Sequence, residues 1–522
     1  MTLISTVSAR TTRFNLSPQV FHTMSLPRFR SLLAPLLLAL ALALTGLGGW
    51  APAAAQDVAA TAARHTALAF TALPADQQAQ LDDLEHRTFQ FFWDTANPAN
   101  GLAPDHWPGQ SFSSIAAVGF GLTAYGIGAE RGWISRDEAV ERTLVTLRFF
   151  ANSPQNASED DATGYRGFYY HFLDMQTGLR HGRGTELSSI DTTLLLGGVL
   201  FAQSYYDRDT PAEQEIRRLA DTLYQRVDWP WMQARPPLVS MGWTPGGQFI
   251  PHDWEGYNEA NLLYILALGS PTHPLEPKAW AAWTRTDEQD WDTLYGQTFL
   301  TFGPLFGHQY SAAWIDFRGI RDDFMRRHDS DYFENGRRAA LSQRNYAIAN
   351  PASWSGYGKN LWGLTASNGP GHFGIATDGH ERQFFGYSAR GVGLRRVVDD
   401  GTIAPTAALG SIAFAPDIVV PAFLHMKDRY GKYIYARYGF RDAFNLSLHD
   451  TDAPLRTGMV IPGFGWVDTE YLGIDQGPIL LMLENWRTGF VWKVMRRNPY
   501  VRKGLQRAGF RGGWLEQPAT PP

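Results

Sequence analysis

Carboxylates lie beside Trp, Tyr and Asn in several loop-like segments of this sequence. The clearest are residues 254–259, Trp-Glu-Gly-Tyr-Asn-Glu, and residues 438–445, Tyr-Gly-Phe-Arg-Asp-Ala-Phe-Asn. Aromatic faces can cover the apolar faces of sugar rings, while carboxylates and amides bind hydroxyl groups. Cleaving a glycosidic bond needs two carboxyl groups in unlike environments, one protonated as the acid and one ionised as the base or nucleophile. The pattern therefore predicts a carbohydrate site.

Four further loops carry the same mixture, in segments 93–105, 183–192, 268–274 and 473–478. Each carboxylate also has a structural alternative. Asp94 and Asp191 could cap helices, because a carboxylate accepts hydrogen bonds from free amides at a helix N-terminus. Glu484 could pair with Arg487 one helical turn away. Residue type alone leaves both interpretations open.

Other catalytic machinery is poorly supported. The chain has no Cys, which removes disulfides, thiolate nucleophiles and cysteine metal sites. It has no Gly-x-Ser-x-Gly elbow and no His-Glu-x-x-His motif. The segments 449–452 and 159–161 are more typical of polar loops than of metal sites. The sequence thus predicts no metal and no cofactor.

Charge and composition narrow the class of protein. The 46 Lys and Arg against 51 Asp and Glu give a net charge of −5, with 44% apolar residues among 522. This is the composition of a globular chain, and the lack of a sustained cationic run argues against nucleic acid as a partner. The 31 Phe, 21 Tyr and 18 Trp exceed what core filling alone would explain.

Apolar residues recur with a period near 3.6 from Leu81 onward, which predicts about a dozen helices, often in consecutive pairs. Capping boxes are expected at Ser135–Glu138 and Thr210–Glu213. The predicted helices cover residues 81–92, 114–131, 135–150, 188–206, 210–227, 259–268, 280–300, 310–324, 331–349, 418–430, 477–492 and 499–508. An all-α toroid of paired inner and outer helices is the simplest architecture, with its inner-helix loops at one end. Residues 351–416 form a long irregular insertion with short strands.

The chain ends are expected to be separate from the helical domain. Arg28 and Arg30 precede an apolar run and then Ala53-Ala54-Ala55, the order of a cleavable secretory signal. We expect a signal peptide at 1–55, with a possible start at Met24, a linker at 56–78, the catalytic domain at 79–508 and a disordered tail at 509–522. The mature protein would be periplasmic or secreted and not membrane-bound. A retained membrane anchor is the alternative.

Five longer motifs carry a resemblance to a known family. They are Phe92-Trp93-Asp94 with Asn97-Pro98-x-Asn100-Gly101, Glu186-Leu187-Ser188-Ser189-Ile190-Asp191-Thr192, Gly256-Tyr257-Asn258-Glu259, residues 266–274, and Gly473-Ile474-Asp475-Gln476-Gly477-Pro478. At these motifs the chain resembles the bacterial glycoamylase-like domain family, and more narrowly the β-1,2-glucanases of glycoside hydrolase family 144. The resemblance implies an (α/α)6 toroid and metal-independent, endo-acting, anomer-inverting hydrolysis of β-1,2-glucan to sophoro-oligosaccharides. A monomer is expected.

The resemblance also assigns roles to residues. Glu259 would be the general acid, and we choose Asp442 as the base. Asp475, Glu186 and Asp191 are alternative catalytic carboxylates. The expected substrate-binding residues are Trp93, Asp94, Arg183, Trp243, Trp254, Tyr257, Asn258, His273 and Gln476.

Three competing functions stay open from sequence. A polysaccharide lyase on a similar toroid would use Tyr257 or His252 as base and Arg183 to neutralise a uronate. A non-catalytic glycan-binding protein would use the aromatic residues but not so many loop carboxylates. A transglycosylase or cyclase would share the site and differ only in whether sugar or water accepts.

Overall fold

The computed structural model describes residues 68–109, 111–377 and 379–518. The predicted signal peptide lies outside them. Helices dominate, and sixteen α-helices run α1 Ala75–Thr95, α2 Ile115–Glu130, α3 Arg136–Asn152, α4 Ser189–Tyr205, α5 Pro211–Gln225, α6 Asn261–Gly269, α7 Lys278–Trp283, α8 Asp287–Asp290, α9 Phe306–Trp314, α10 Asp323–Arg327, α11 Tyr332–Ala349, α12 Pro405–Leu409, α13 Pro416–Ile434, α14 Gly473–Arg487, α15 Phe490–Met495 and α16 Pro499–Arg507. Short 3-10 helices occupy Phe70–Ala72, Thr284–Thr286 and Gly513–Glu516.

Six of these helices, α2, α4, α6, α9, α12 and α14, are buried on nearly every side. Helices that are apolar all round belong in the interior of a protein. They contact one another in cyclic order, and α14 packs back on α2. Between α9 and α12 the contact includes Gln309 Nε2, which donates to Ala407 O and to Ser411 Oγ, each at 2.8 Å.

Amphipathic helices cover this ring from outside. The α5 helix buries Ile216, Leu219 and Leu223 against α4 and leaves its other face to solvent. In the same way α1 packs on α14 and α2, α3 on α2, α11 on α9, α13 on α12 and α16 on α6. A single apolar core runs through both layers.

Short strands lie in the segments that connect the helices. They are β1 His106–Trp107, β2 Ser113–Ser114, β3 Gly164–Tyr165, β4 Phe168–Tyr170, β5 Phe172–Leu173, β6 Leu187–Ser188, β7 Gly242–Thr244, β8 Gln248–Phe249, β9 Trp291–Leu294, β10 Gln297–Leu300, β11 Ala366–Ser367, β12 Phe373–Thr377, β13 His380–Phe384, β14 Ser388–Ala389, β15 Gly391–Val392, β16 Val397–Val398, β17 Thr402–Ile403, β18 Tyr435–Ala436, β19 Gly439–Phe440, β20 Phe444–Asn445, β21 Met459–Ile461, β22 Gly465–Val467 and β23 Tyr471–Leu472.

Antiparallel pairing of these strands joins loops that are distant in sequence. One sheet has the order β3-β4-β6-β7-β8 and a second has the order β17-β20-β22-β21. The β1 strand pairs with β23, so that His106 faces Leu472 and Trp107 faces Tyr471. These pairings fix the backbone immediately before α4 and α14, where several of the predicted site residues lie.

Local signals located most helices correctly. Ser135 and Glu138 form the expected capping box. Thr210 caps α5, but the Glu213 carboxylate binds the Arg208 amide and the Arg136 guanidinium, so the second box is incomplete. The predicted insertion at 351–416 holds β11 to β17, but the prediction is wrong for Pro405–Leu409, which form the inner helix α12.

Three predicted helices are wrong in extent. The 280–300 segment leaves α7 at Trp283 and forms the β9–β10 hairpin, whose turn residues Tyr295 and Gly296 have φ of 47° and 77°. Two positive φ values suit a hairpin turn and are incompatible with a helix. The helix predicted over 310–324 is α9, which ends at Trp314. Residues 477–492 are divided at Gly489, whose φ is 69°.

The domain extends further at both ends than expected. Phe510, Trp514 and Leu515 are buried, so the prediction of a disordered tail is wrong for 509–518; residues 519–522 lie outside the described chain. Phe70 and Leu73 are also buried, which places the end of the predicted linker within the domain. Within the described segments, no helix combines the length and apolarity needed to cross a bilayer.

Candidate active site

The N-terminal ends of several inner helices deliver carboxylates to one cleft. Asp191 lies in the first turn of α4, Asp475 in the first turn of α14, and Glu259 just before α6. The charges of all three act on the buried hydroxyl of Tyr310 in α9. Tyr310 therefore marks the region, called the cleft below, where the predicted catalytic carboxylates converge.

Glu259 is suited to hold a proton near neutral pH. Its main-chain carbonyl accepts from Ser311 Oγ at 3.0 Å, which fixes the segment to α9. Its Oε2 atom is buried and has no hydrogen-bond partner among the described residues. Burial, helped by the charge of Asp191, raises the pKa of Glu259 to about 7. Loss of solvent disfavours the charged form, so the carboxyl can act as an acid.

Asp442 and Asp475 form a buried pair of carboxyl groups whose protonation states depend on each other. Burial raises the pKa of both groups, and the charge of Asp442 raises the pKa of Asp475 further. Asp442 Oδ2 accepts from the Asn368 amide at 2.7 Å, and the charges of His106 and Arg390 also favour its ionised form. The proton therefore resides on Asp475, and Asp442 carries the negative charge.

His106 connects this pair to two more acids. Its Nε2 lies 2.9 Å from Asp105 and its Nδ1 lies 3.0 Å from Glu470. Although burial opposes the charge, these two partners raise the pKa of His106 to about 10. Nearby, burial and the charge of Asp442 raise the pKa of Asp468 to about 7. The cleft thus contains an imidazolium that offsets part of its negative charge.

A second imidazole bridges two of the predicted carboxylates. His171 Nδ1 lies 2.8 Å from Glu186 Oε1, and its Nε2 lies 3.4 Å from Asp191 Oδ1. Candidate ligand atoms of these three residues fall within 4.8 Å of one another, as a metal site would require. Burial opposes the ring charge, but Asp191 and Glu186 raise the pKa of His171 to about 9. A protonated ring offers no lone pair, so the cluster is better described as a salt bridge.

Tyr387 extends from the insertion over these acids. It lies between β13 and β14, is 56% exposed, and interacts electrostatically with the cleft carboxylates Asp475, Asp105, Asp442 and Asp191. Restricted solvent and these charges raise the pKa of its hydroxyl, which therefore stays protonated and can donate to a ligand. No motif in the sequence singled it out.

Arg390 holds the segment that carries Tyr387. The guanidinium is fully buried and donates to Asp400 Oδ1 at 2.7 Å and Oδ2 at 2.8 Å. It also donates to the carbonyls of Ser367 at 3.0 Å and of Phe385 and Gly386, each at 3.1 Å. One side chain thus ties β11 to the loop preceding β14.

Replacing Arg390 by Met is expected to lower the free energy of unfolding by about 3–5 kcal/mol, because Asp400 is left buried and unpaired. Urea denaturation followed by Trp fluorescence measures this. Arg395→Met is the matched control: Arg395 is 69% exposed and pairs with Asp290, so its loss is expected to cost less than about 1 kcal/mol. Equal losses for the two variants would contradict the role of Arg390.

The predicted aromatic platforms lie mostly in the core. Trp243 is 5% exposed and packs on Tyr165 and Trp231, while Trp93 lies under the Arg142 guanidinium at 4.5 Å. Trp243 therefore has little free face for a sugar, and one face of the half-buried Trp93 is covered by Arg142. Packing against neighbouring helices, which the sequence does not specify, decides the exposure of a ring.

Two predicted site aromatics near Glu259 are also buried. Trp254 is 7% exposed, and its Nε1 donates to Ser189 Oγ at 2.9 Å. Tyr257 is 7% exposed, and its hydroxyl lies 3.0 Å from His308 Nδ1. Both rings support the wall of the cleft. Since Tyr257 is engaged in the interior, it is not placed to be a lyase base.

Other predicted ligand contacts are structural. The Asn258 Oδ1 atom accepts the Ala260 amide at 3.0 Å, and Gln476 Nε2 donates to a carbonyl at 3.1 Å. Asp94 pairs with the exposed Arg437, and Arg183 is 79% exposed beside Asp160.

His273 lies at the wrong end of α6. It follows the C-terminus of that helix and contacts the Gln225 carbonyl at the end of α5, whereas Glu259 precedes the N-terminus. The prediction that it binds substrate is therefore wrong. Nearness in sequence to a site motif did not imply nearness in space.

A pocket of about 520 Å³ adjoins the Glu259 segment. Its lining includes the loop Glu255–Tyr257 on one side and Arg395 and Arg396 of the insertion on the other. A volume of this size accommodates a ligand of several hundred cubic ångströms, such as two sugar units. The insertion therefore forms one wall of this pocket.

The geometry matches known proteins over most of the chain. A family model, Glycoamylase, described as "Putative glucoamylase", matches residues 251–499. An exo-β-1,2-glucooligosaccharide sophorohydrolase (non-reducing end) of Parabacteroides distasonis is 29% identical over 470 residues, which cover 84% of this chain and 58% of that protein. The chain thus spans little more than half the length of this curated relative.

Two solved structures are similar in fold and sequence. A protein of Bacteroides uniformis described as "a putative glucoamylase" is 31% identical with a TM-score of 0.72, covering 85% of this chain and all (100%) of that one. An endo-β-1,2-glucanase of Chitinophaga pinensis, in complex with sophorotriose and glucose, is 28% identical with a TM-score of 0.71, covering 85% of this chain and 100% of that one.

Proposed function

Because the chain belongs to the glycoamylase-like family of glycoside hydrolases, we propose that it cleaves β-1,2-linked glucan to sophoro-oligosaccharides. The observation that carries the proposal is the cleft at Tyr310, where a protonated Glu259 and an ionised Asp442 with its partner Asp475 occupy unlike environments. The β-1,2 linkage is supported by the activities of the sophorohydrolase and the endo-glucanase to which the chain is similar.

In the proposed mechanism Glu259 transfers its proton to the glycosidic oxygen as the bond from that oxygen to the anomeric carbon breaks. Asp442 takes a proton from a water molecule, whose oxygen attacks the anomeric carbon from the opposite face. The product has inverted configuration, and solvent exchange restores the protonation of both carboxyl groups. Inverting hydrolases require about 6.5–9.5 Å between the two carboxyl groups to leave room for the water.

Other cleft residues would bind and orient the sugar. Tyr387 is placed to donate to a hydroxyl of the bound chain, and the Glu186–His171–Asp191 salt bridge offers further polar atoms. We further propose that the cyclic arrangement of helices is an (α/α)6 toroid and that the protein acts as a monomer in the periplasm or medium after signal cleavage.

The test is incubation with linear β-1,2-glucan, with β-1,3- and β-1,4-glucans as controls and products separated by chromatography. Short β-1,2-oligosaccharides of mixed length support endo action, whereas sophorose alone supports exo action as in the Parabacteroides relative. Proton NMR of the first products should show the α-anomer if the reaction inverts. Absence of products from β-1,2-glucan would reject the proposed substrate.

The pH dependence of kcat/KM should be bell-shaped with an alkaline limb near pH 7. The acid must be protonated, and burial raises the pKa of Glu259 to about 7, so activity falls as pH rises through that value. The acidic limb reports protonation of Asp442, whose pKa burial places above its usual value. A profile that stays level to pH 9 would exclude Glu259 as the acid.

A further inference from the structure

A second cavity lies away from the cleft. It has a volume of about 400 Å³ and is lined by α15, the start of α16 and the chain near Trp514. The helix α14 connects the two regions, because it carries Asp475 at the cleft and ends at Arg487. At 1.5 Å per residue, these two residues are about 18 Å apart along the helix axis. The helix α15 then starts at this far end, so the cavity is separate from the carboxylates of the cleft.

The sequence around this cavity is strongly cationic. Residues 485–515 contain eight Lys and Arg and no Asp or Glu, in a chain whose net charge is −5. Four of these side chains line the cavity: Lys493, Arg496, Arg497 and Arg502. No carboxylate is among its lining residues. The charge is therefore concentrated in one place on the molecule.

Carboxylates from other segments neutralise this group only in part. Arg496 pairs with Asp316, which also receives two hydrogen bonds from Arg318, and Arg497 lies 3.3 Å from Asp207, which Arg136 also contacts. Both carboxylates are thus shared with cations outside the cavity.

The other two cations have no carboxylate partner within the described chain. Arg502 donates to the carbonyls of Arg496, Leu515 and Gln517, and burial without a compensating anion lowers its pKa. The Lys493 ammonium has no hydrogen bond or ion pair with any described residue, and the Nε atom of Arg496 is buried and unpartnered. The cavity therefore holds at least two uncompensated positive charges and a free donor.

The indole ring of Trp514 packs against two of the cations. The centroid of Trp514 lies 5.6 Å from the guanidinium carbons of both Arg496 and Arg502. Its indole Nε1 donates to the Asp316 carbonyl at 2.8 Å, which fixes the ring. The guanidinium groups are thereby held in place before any ligand arrives, which reduces the entropy lost on binding.

We propose that this cavity binds a phosphate-bearing ligand. The two surplus positive charges match one phosphomonoester, whose charge at neutral pH is about −1.5 to −2. A carboxylate would neutralise only one of the two positive charges. Guanidinium forks and an ammonium are the groups that proteins use for phosphate. The volume exceeds that of inorganic phosphate and leaves room for an attached glycerol or sugar.

The test uses the whole protein with inorganic phosphate, glycerol phosphate and vesicles of phosphatidic acid in phosphatidylcholine, at 50 mM and 200 mM salt. Binding is followed by calorimetry and by Trp fluorescence, or by sedimentation with vesicles. We expect saturable binding that weakens several-fold at the higher salt. Glycerol phosphate binding without vesicle binding would assign a soluble phosphoester, whereas vesicle binding through the same residues would assign a lipid headgroup.

The variants decide whether the cavity is responsible. Lys493→Glu and the double variant Lys493→Ala/Arg502→Ala are expected to weaken binding at least tenfold and to leave glucan hydrolysis unchanged. The exposed pair Lys278→Ala/Arg218→Ala changes net charge equally and serves as the control. No binding by the wild type, or equal losses in the cavity and control variants, would overturn the proposal. Lys493 is exposed, so Lys493→Glu is expected to keep the fold intact. This variant therefore still tests the proposal if Arg502→Ala prevents folding.

Discussion

Replacing Glu259 by Gln is expected to lower kcat on linear β-1,2-glucan by about 10²- to 10⁴-fold, the range for loss of a general acid. The amide keeps the size of the side chain and cannot supply the proton that the leaving oxygen needs. Because Oε2 of Glu259 has no partner within the described chain, the amide breaks no existing bond. KM and the urea midpoint should therefore change little. Steady-state kinetics with chromatographic detection measures the effect.

Two controls separate loss of the acid from loss of structure. Glu276→Gln alters a glutamate that is 70% exposed and 3.9 Å from Arg507, and should leave kcat unchanged. An aryl β-sophoroside with an acidic phenol as leaving group needs little protonation, so Glu259→Gln should retain far more activity on it than on glucan. If Glu259→Gln kept more than a tenth of wild-type kcat on glucan, the acid would have to be sought elsewhere.

The second large effect concerns the buried carboxyl pair of Asp442 and Asp475. Asp442→Asn is expected to reduce kcat by about 10²- to 10⁴-fold, because an amide cannot take a proton from the attacking water. Asp475→Asn should cost much less, since its amide can still donate to Asp442 in place of the carboxyl proton. This ranking follows from the Asn368 amide and the cations that favour the charge on Asp442.

A further variant checks the same pair through its pH profile. Asp475→Ala removes the donor that stabilises ionised Asp442, so the acidic limb of kcat/KM should move to higher pH. The aryl sophoroside should not restore activity to Asp442→Asn, because the missing function is activation of water. If Asp475→Asn proved the more damaging change, Asp475 would be the base and Asp442 its partner.

Local sequence signals were sufficient for much of the helical frame. The Ser135–Glu138 box and the Thr210 cap each place a helix start correctly, because capping depends on residues within one turn. The apolar content of the inner helices located all of them except α12, whose residues Pro405–Leu409 had been assigned to the irregular insertion. The helix predicted over 280–300 was wrong because the spacing of its apolar residues fits the period of a strand as well as that of a helix. The tight turn at Tyr295-Gly296 allows the last part of this segment to form a hairpin.

The family motifs contain four of the candidate carboxylates, Glu259, Asp475, Glu186 and Asp191, and Asp442 came from the separate segment 438–445. Their partners could not be predicted. His106 and Glu470 are 364 residues apart, and they meet only because β1 pairs with β23. Asn368 and Tyr387 enter from the insertion, whose position depends on the buried Arg390–Asp400 pair.

The sequence by itself thus determined which residue types were available, where most helices begin, and which motif carboxylates belong to a sugar-cleaving family. Only the tertiary structure decided which rings are exposed, which acid of each pair keeps its proton, and that His273 is remote from Glu259. The physical reason is that capping and periodicity act within a few residues, whereas burial and charge pairing depend on neighbours that lie hundreds of residues away in the chain.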